Sequence, residues 1–315
     1  MKTGLPLVDR GRIVVLFFVL AFVQPLVARA DEPSPAPSAQ PSAQAQQPTA
    51  AQLAALAKEA QNPVGNIAVV PFQNNWNYAA GPNLRTLYNL NIQPVIPISL
   101  GDKANLIERA IVPVINQPSA LPPGSCPAQF NSASDCGSQL GIGSIQLQSY
   151  YAPRTRPDAL IYGVGPIFQF PTVTAGFGSN QFGAGANVVG LVMPGPWVIG
   201  ALFNNVWRVA GPSTPAAQTL NTFTTQPFIN YNFGRGWALS EAPAITANWT
   251  APGNQKWTVP VGLGVIQTNN WFKLPMSFQI AYYGNVVRPN NTPYGLWRFQ
   301  WSLLWPIMRG RSGPR

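Results

Sequence analysis

The chain has 315 residues, 46% hydrophobic and only 9% charged, with a formal net charge of +10, 34 Pro, 28 Gly and no histidine. Soluble domains carry roughly 25% charged residues, so the composition argues against an ordinary wetted surface. A mean hydropathy of +0.04 argues equally against a bundle of membrane helices, each needing about 20 nearly continuous apolar residues.

Lys2, Arg10 and Arg12 precede an apolar stretch at residues 13–27, and Ala28-Arg29-Ala30 places small residues at an A-x-A cleavage site. The pattern predicts a secretory signal peptide over residues 1–30, with Asp31 as the first mature residue. Gln24-Pro25 breaks the stretch and disfavours a retained anchor, and no cysteine follows the cleavage point to carry a lipid. Removing this segment takes away four basic residues and one acidic residue and leaves +7.

Residues 31–49 are nearly all Pro, Ser, Ala, Gln and charged side chains. They cannot bury enough apolar surface to offset their ordering entropy, so a disordered linker is expected. Residues 50–63 begin with strong helix formers, with Leu53, Leu56 and Ala57 at helical spacing, and close on Asn62-Pro63. This predicts one short helix, placed in the periplasm if the signal peptide acts.

From about Val69 the period becomes two. Phe72, Asn74, Trp76 and Tyr78 alternate with Gln73, Asn75 and Asn77, and Trp297, Phe299, Trp301, Leu303 and Trp305 alternate with Arg298, Gln300 and Ser302. Such strands have one apolar and one polar surrounding. Twelve runs of this kind lie at 69–79, 84–98, 105–117, 142–152, 159–170, 183–193, 197–208, 222–233, 237–249, 256–266, 274–286 and 296–306. Several reach about ten residues, the length of a tilted bilayer-crossing strand. The predicted fold is therefore all-β: a transmembrane antiparallel up-and-down barrel of twelve strands over residues 64–306, with a short N-terminal helix. The third run leaves its phase open, because Glu108 and Arg109 fall on opposite faces. In the ninth, Glu241 falls in phase with Trp237 and Leu239, so a bulge or kink near Pro243 is expected to reset the strand.

Short connections at residues 99–104, 153–158, 194–196, 234–236 and 267–273 alternate with mostly longer ones, chiefly 118–141, 171–182, 209–221 and 287–295. Outer-membrane barrels alternate short periplasmic turns with longer extracellular loops, and an even strand number puts both termini in the periplasm. Trp197, Trp237 and Trp271 sit beside short turns, whereas Trp207, Trp249, Trp257 and Trp297 sit beside the other loops. Two interfacial belts of amphipathic rings account for both sets. A soluble sandwich would carry more Lys, Glu and Asp on its outward faces. The expected location is the outer membrane of a Gram-negative bacterium, with lipid and the barrel-insertion machinery as partners.

The polar rows nominate Arg85, Asn89, Asn91, Gln93, Gln146, Gln148, Arg208, Gln226, Asn230, Gln279, Arg298 and Gln300 as lumen-facing. Twelve strands lie between a barrel that side chains fill and one that leaves an aqueous channel, so a narrow pore and a plugged lumen are both allowed. A neutral polar lumen with a few arginines argues against strong cation selectivity. Glu108 and Glu241 are too few for acid–base work or calcium binding. Without histidine, Ser-His-Asp and Cys-His hydrolysis and His-ligated zinc are also excluded. No catalytic, cofactor or metal site is expected, and the dispersed basic residues argue against nucleic-acid binding.

The runs Ala57-Lys58-Glu59-Ala60-Gln61-Asn62-Pro63, Val70-Pro71-Phe72-Gln73-Asn74-Asn75 and Leu90-Asn91-Ile92-Gln93-Pro94-Val95-Ile96-Pro97 resemble a group of Gram-negative outer-membrane proteins. So do Tyr162-Gly163-Val164-Gly165-Pro166, Asn230-Tyr231-Asn232-Phe233 and Ile245-Thr246-Ala247-Asn248-Trp249. These are the meta-pathway phenol-degradation outer-membrane proteins, some labelled neuromedin U, with the long-chain fatty-acid transporter barrels more distant. The resemblance covers about residues 55–306 and implies an outer-membrane barrel with a role in uptake of apolar or aromatic compounds. The departure is a basic tail, residues 307–315, following Trp305 and Pro306, where such barrels end on an aromatic residue. A transporter or narrow channel for small solutes is the leading reading. A structural or adhesive barrel, with a blocked lumen and function in its loops, is the alternative.

Cys126 and Cys136 are the sole cysteines, separated by nine residues inside a Pro-, Ser- and Gly-rich stretch. In an oxidising compartment the pair is expected to form a loop disulfide, and it lacks the C-x-x-C spacing of a redox pair. So short a closed loop should contribute little to global stability. Mass spectrometry of protein from intact outer membranes should find the two thiols bridged; both thiols unmodified would refute the pairing.

Overall fold

Alternation along each run becomes a ring of backbone ladders in the computed structural model, which describes residues 49–119, 137–156, 159–174, 177–178, 180–212, 219–271 and 274–306. The signal peptide, nearly all of the linker, Cys126, Cys136 and the tail lie outside the described residues. The first element is α1 (Ala50–Glu59), started by a capping box in which Thr49 and Gln52 each accept from the other's backbone N–H. No described helix is long and apolar enough to cross a membrane.

Fifteen strand segments follow: β1 (Ile67–Ala80), β2 (Arg85–Ile92), β3 (Val95–Leu100), β4 (Ala104–Gln117), β5 (Gln139–Ile142), β6 (Gln146–Pro153), β7 (Ile161–Gln169) and β8 (Phe182–Val192). The remainder are β9 (Trp197–Ala210), β10 (Asn221–Gly234), β11 (Trp237–Glu241), β12 (Ile245–Asn248), β13 (Trp257–Trp271), β14 (Leu274–Val287) and β15 (Gly295–Pro306). Three staves are interrupted, so β2–β3, β5–β6 and β11–β12 each count once, and the barrel closes with twelve antiparallel staves. Each stave pairs with its sequence neighbours, and β15 returns to β1. Closure matters energetically, because an open edge would expose a row of unpaired N–H and C=O groups.

The interruptions have two different causes. Proline has no N–H to donate, so Pro94 and Pro243 break ladders without inserting a residue. Register is unchanged across Pro94, from Phe72↔Ile92 to Val69↔Val95. It is equally unchanged across Pro243, from Thr225↔Ile245 to Ile229↔Glu241. The expected reset near Pro243 is therefore corrected: Glu241 stays on the outer face with Trp237 and Leu239. The β5–β6 break is a true bulge, in which Gly143, Ser144 and Ile145 oppose Val112 and Pro113 of β4.

Burial follows the pleat. Along β9, Val198, Leu202, Asn204 and Val206 are buried on the inner face, while Trp197, Ile199, Phe203 and Trp207 are exposed on the outer one. On β4 the structure settles the phase: Glu108 turns outward and accepts from the Ser149 hydroxyl at 2.8 Å, and Arg109 turns inward. Outer rings cluster at both ends of the barrel. Trp197, Tyr231 and Phe233 meet beside the short turns, and Phe223, Trp249 and Trp257 meet beside the loops.

The β1–β15 seam runs unbroken from Ile67↔Pro306 to Tyr78↔Gly295. Outside, Phe72 stacks on Trp301 at 4.0 Å and Asn74 donates to the Phe299 carbonyl. Inside, Gln73 donates to Gln300 and Arg298 Nε donates to Asn75 Oδ1.

A closed barrel of this kind should be heat-modifiable, the unboiled protein migrating differently from the boiled one on a denaturing gel. A far-UV spectrum dominated by helix would contradict the fold. Phe72→Ala should lower the temperature of the mobility shift, because it removes an aromatic pair worth about 0.5–1.5 kcal/mol beyond its area. At the β10–β11 turn, Gly236 has φ +81° and accepts from Thr268 N, and a Cβ there would meet the Thr268 carbonyl oxygen. Gly236→Val should therefore destabilise by roughly 1–3 kcal/mol or more. Gly195→Ala, whose Cβ would point into open space, should shift the same midpoint less.

Candidate functional site

The lumen is divided along its axis. Toward the short-turn end its inner face is apolar: Ile107, Tyr150, Ala152, Val189, Leu191, Val198, Leu202 and Phe228 are all buried and pack with Val64. Val64 belongs to the chain between α1 and β1, which enters the barrel mouth after Pro63 stops the helix. Gly163 makes room for it, since a Cβ there would come within 3.1 Å of the Val64 side chain. A buried valine is worth about 1.5–3 kcal/mol, so this contact anchors the segment.

Polar ties fix the rest of the closure. Lys58 Nζ donates to the Met193 and Gly195 carbonyls at 2.8 and 2.7 Å, gripping the β8–β9 turn. The Gln61 and Asn232 amides exchange hydrogen bonds at 2.9 and 3.3 Å, and Asn105 donates to Asn66 Oδ1 at 2.8 Å. Glu59 accepts from Asn66 N, folding the segment back onto its own helix. A ten-residue helix is marginal alone in water, so α1 owes its order to the barrel.

Two cavities flank this closure, and Asn62 faces both. The outer one, about 500 Å3, lies among Lys58, Glu59, Asn105, Arg154, Ile161 and Met193. The inner one, about 200 Å3, is floored by Ala57, Ala60, Gln61, Asn62 and Pro63 and walled by β1, β3, β4, β9–β11 and β13–β15. Its wall is polar on one part, with Gln73, Gln93, Arg109, Asn230, Gln279, Arg298 and Gln300, and apolar on another, with Val95, Leu202, Phe228, Ile266 and Leu304. No Asp or Glu lines it among the described residues.

One hydrogen-bond network joins its two arginines. Arg109 donates to Gln93 Oε1, Gln93 to Gln73 Oε1, Asn75 also to Gln73 Oε1, and Arg298 to Asn75 Oδ1. Arg298 also lies 5.0 Å from the Tyr283 ring and donates to the Ala242 carbonyl. Gln226 donates to that same carbonyl, and Ala242 N donates to the Tyr283 hydroxyl. The lumenal side chains thus satisfy the backbone where Pro243 interrupts the ladder.

Of the side chains nominated by the polar rows, Gln93, Gln226, Asn230, Gln279, Arg298 and Gln300 meet at the inner cavity. The others are spread along the inner face. Asn91 donates to Gln73, Asn89 is one pleat further along β2, and Gln148 accepts from the Tyr150 hydroxyl. Gln146 pairs with Gln169, while Arg85 and Arg208 reach the loop end, donating to the Ser119 and Gly211 carbonyls. Sequence reasoning missed Arg109. The signal lay in the turn at Gly101-Asp102-Lys103, which puts Val95 opposite Arg109 and so in phase with Gln93.

No protein-family model matches the chain, and no curated protein matches it. Among solved structures, the COG4313 outer membrane channel from Pseudomonas putida F1 is similar with a TM-score of 0.54 at 15% identity, covering 76% of this chain and 94% of that one. The outer membrane phospholipase of Salmonella typhi (TM-score 0.40, 11% identity, 82% and 98% covered) and a Pseudomonas aeruginosa FadL homologue (0.38, 10%, 79% and 93%) are weaker likenesses. At these identities the likeness is one of fold: the chain has the architecture of an outer-membrane β-barrel.

Proposed function

We propose that this chain is an outer-membrane channel that carries small solutes with an apolar part through the barrel lumen. In this reading residues 1–30 direct export, 31–49 form a periplasmic linker, and both chain termini lie on the periplasmic side. The outer face contacts lipid, and the insertion machinery reads the end of β15 despite the basic tail. The observation that carries the proposal is the inner cavity: a partly polar chamber with the buried Arg298 and the half-buried Arg109 on its wall, inside a closed barrel. Burying charge is costly, and repair of the wall at Ala242 accounts for Arg298 but not for Arg109. With no histidine in the chain and the three serines on its wall without a neighbouring base among the described residues, hydrolysis has little to stand on.

The Val64 cluster favours a second reading, a barrel permanently blocked at its short-turn end. Conductance separates the two. The refolded full chain in a planar bilayer should show small channel events with a long-lived closed state. Lys58→Ala combined with Gln61→Ala removes the grip of α1 on the β8–β9 turn and on Asn232. Charged hydrogen bonds are worth about 1.5–3 kcal/mol, so the ratio of open to closed time should rise roughly tenfold or more. Bilayers and liposomes silent for both the wild type and this variant would leave the blocked barrel standing.

A further inference from the structure

We propose that the inner cavity is a binding site for a small monocarboxylate with an apolar body, its carboxylate held by Arg109 and Arg298. This rests on the channel reading in that the solute must reach the lumen. Arg298 is 7% exposed, and both guanidinium groups face the same chamber without a carboxylate on its wall. The two guanidinium groups carry more N–H donors than Gln93, Asn75, the Ala242 carbonyl and the Tyr150 hydroxyl beside Arg109 accept. The surrounding amides do not make up the deficit. Gln73 Oε1 is already shared by Asn75, Asn91 and Gln93, so the network has a surplus of donors and a shortage of acceptors. A carboxylate supplies acceptors and negative charge together, in the planar geometry that guanidinium matches.

The apolar side of the chamber selects the rest of the molecule. Val95, Leu202, Phe228, Ile266 and Leu304 face the cavity, and an inorganic anion would leave them against water. A neutral apolar solute would leave the arginines uncompensated. The volume of about 200 Å3 bounds the size: an engineered cavity of roughly 150 Å3 accepts benzene, so one ring with one carboxylate fits.

Benzoate, benzyl alcohol and chloride are the probes, titrated calorimetrically into the refolded full chain at low ionic strength. Benzoate should bind saturably at one site, with benzyl alcohol and chloride at least about tenfold weaker, the effect of one charge-assisted hydrogen bond. Arg109→Gln and Arg298→Gln should each weaken benzoate about tenfold, whereas Gln146→Ala, outside the cavity, should bind as the wild type does. Heat-modifiable migration reports whether each variant has folded. Where a glutamine variant does not fold, the corresponding lysine variant keeps the charge and should retain weakened benzoate binding. Equal affinity for benzoate and benzyl alcohol, or benzoate binding indifferent to Arg109 and Arg298, would overturn the assignment. Conductance without benzoate binding defeats the site and leaves the channel; saturable benzoate binding in a protein that never conducts defeats the channel and leaves the site.

Discussion

Everything inside this barrel depends on β15 meeting β1 in register. The pairing from Ile67↔Pro306 to Tyr78↔Gly295 satisfies two edges that would otherwise be open along their whole length. It also joins side chains more than two hundred positions apart. Gln73 and Gln300, and Asn75 and Arg298, are neighbours because the ring closes here and in this phase. A slip of one residue would turn Arg298 to the outer face and Phe299 into the lumen, exchanging an aromatic surface for a buried charge.

The same network that lines the cavity repairs the wall. Pro243 costs the β11–β12 stave its ladder over three residues, and the exposed Ala242 carbonyl is taken by Arg298 and Gln226. Tyr283 answers both partners, its hydroxyl accepting from Ala242 N and its ring lying beside the guanidinium. Stability of the wall and chemistry of the chamber therefore share residues. Arg298 is committed to the wall through its Nε and one terminal nitrogen, whereas Arg109 is held by the side chains of Gln93 and Tyr150 and faces Val95 across the β3–β4 hairpin.

Closure of the short-turn end follows a different logic. The helix contributes little by itself, and its hold comes from one buried valine, one lysine on two carbonyls and a pair of amides. Each of these is worth on the order of 1–3 kcal/mol, far less than a closed ladder. The barrel wall is thus the permanent part of the molecule, and the segment between α1 and β1 is the part whose removal costs least.

Much of this architecture is local and therefore legible in the residues alone. Period-two alternation, turn glycines and prolines, and the placement of tryptophans each act within one strand or one connection, so twelve staves and the faces of most of them follow without tertiary information. The Pro243 break was legible, but its consequence was not, because a missing N–H and an inserted residue look alike until the partner strands are known. Arg109 was hidden for a related reason: the rows through Glu108 and through Arg109 are both largely apolar, and only the register imposed by Asp102 and the bond from Ser149 to Glu108 turns one inward. The sequence by itself determined a barrel with polar rows along its inner face. The tertiary structure alone decided which polar residues meet, that two arginines share one chamber, and that Val64 closes one end, since contacts across a lumen depend on ring closure and shear, which no short stretch of chain encodes.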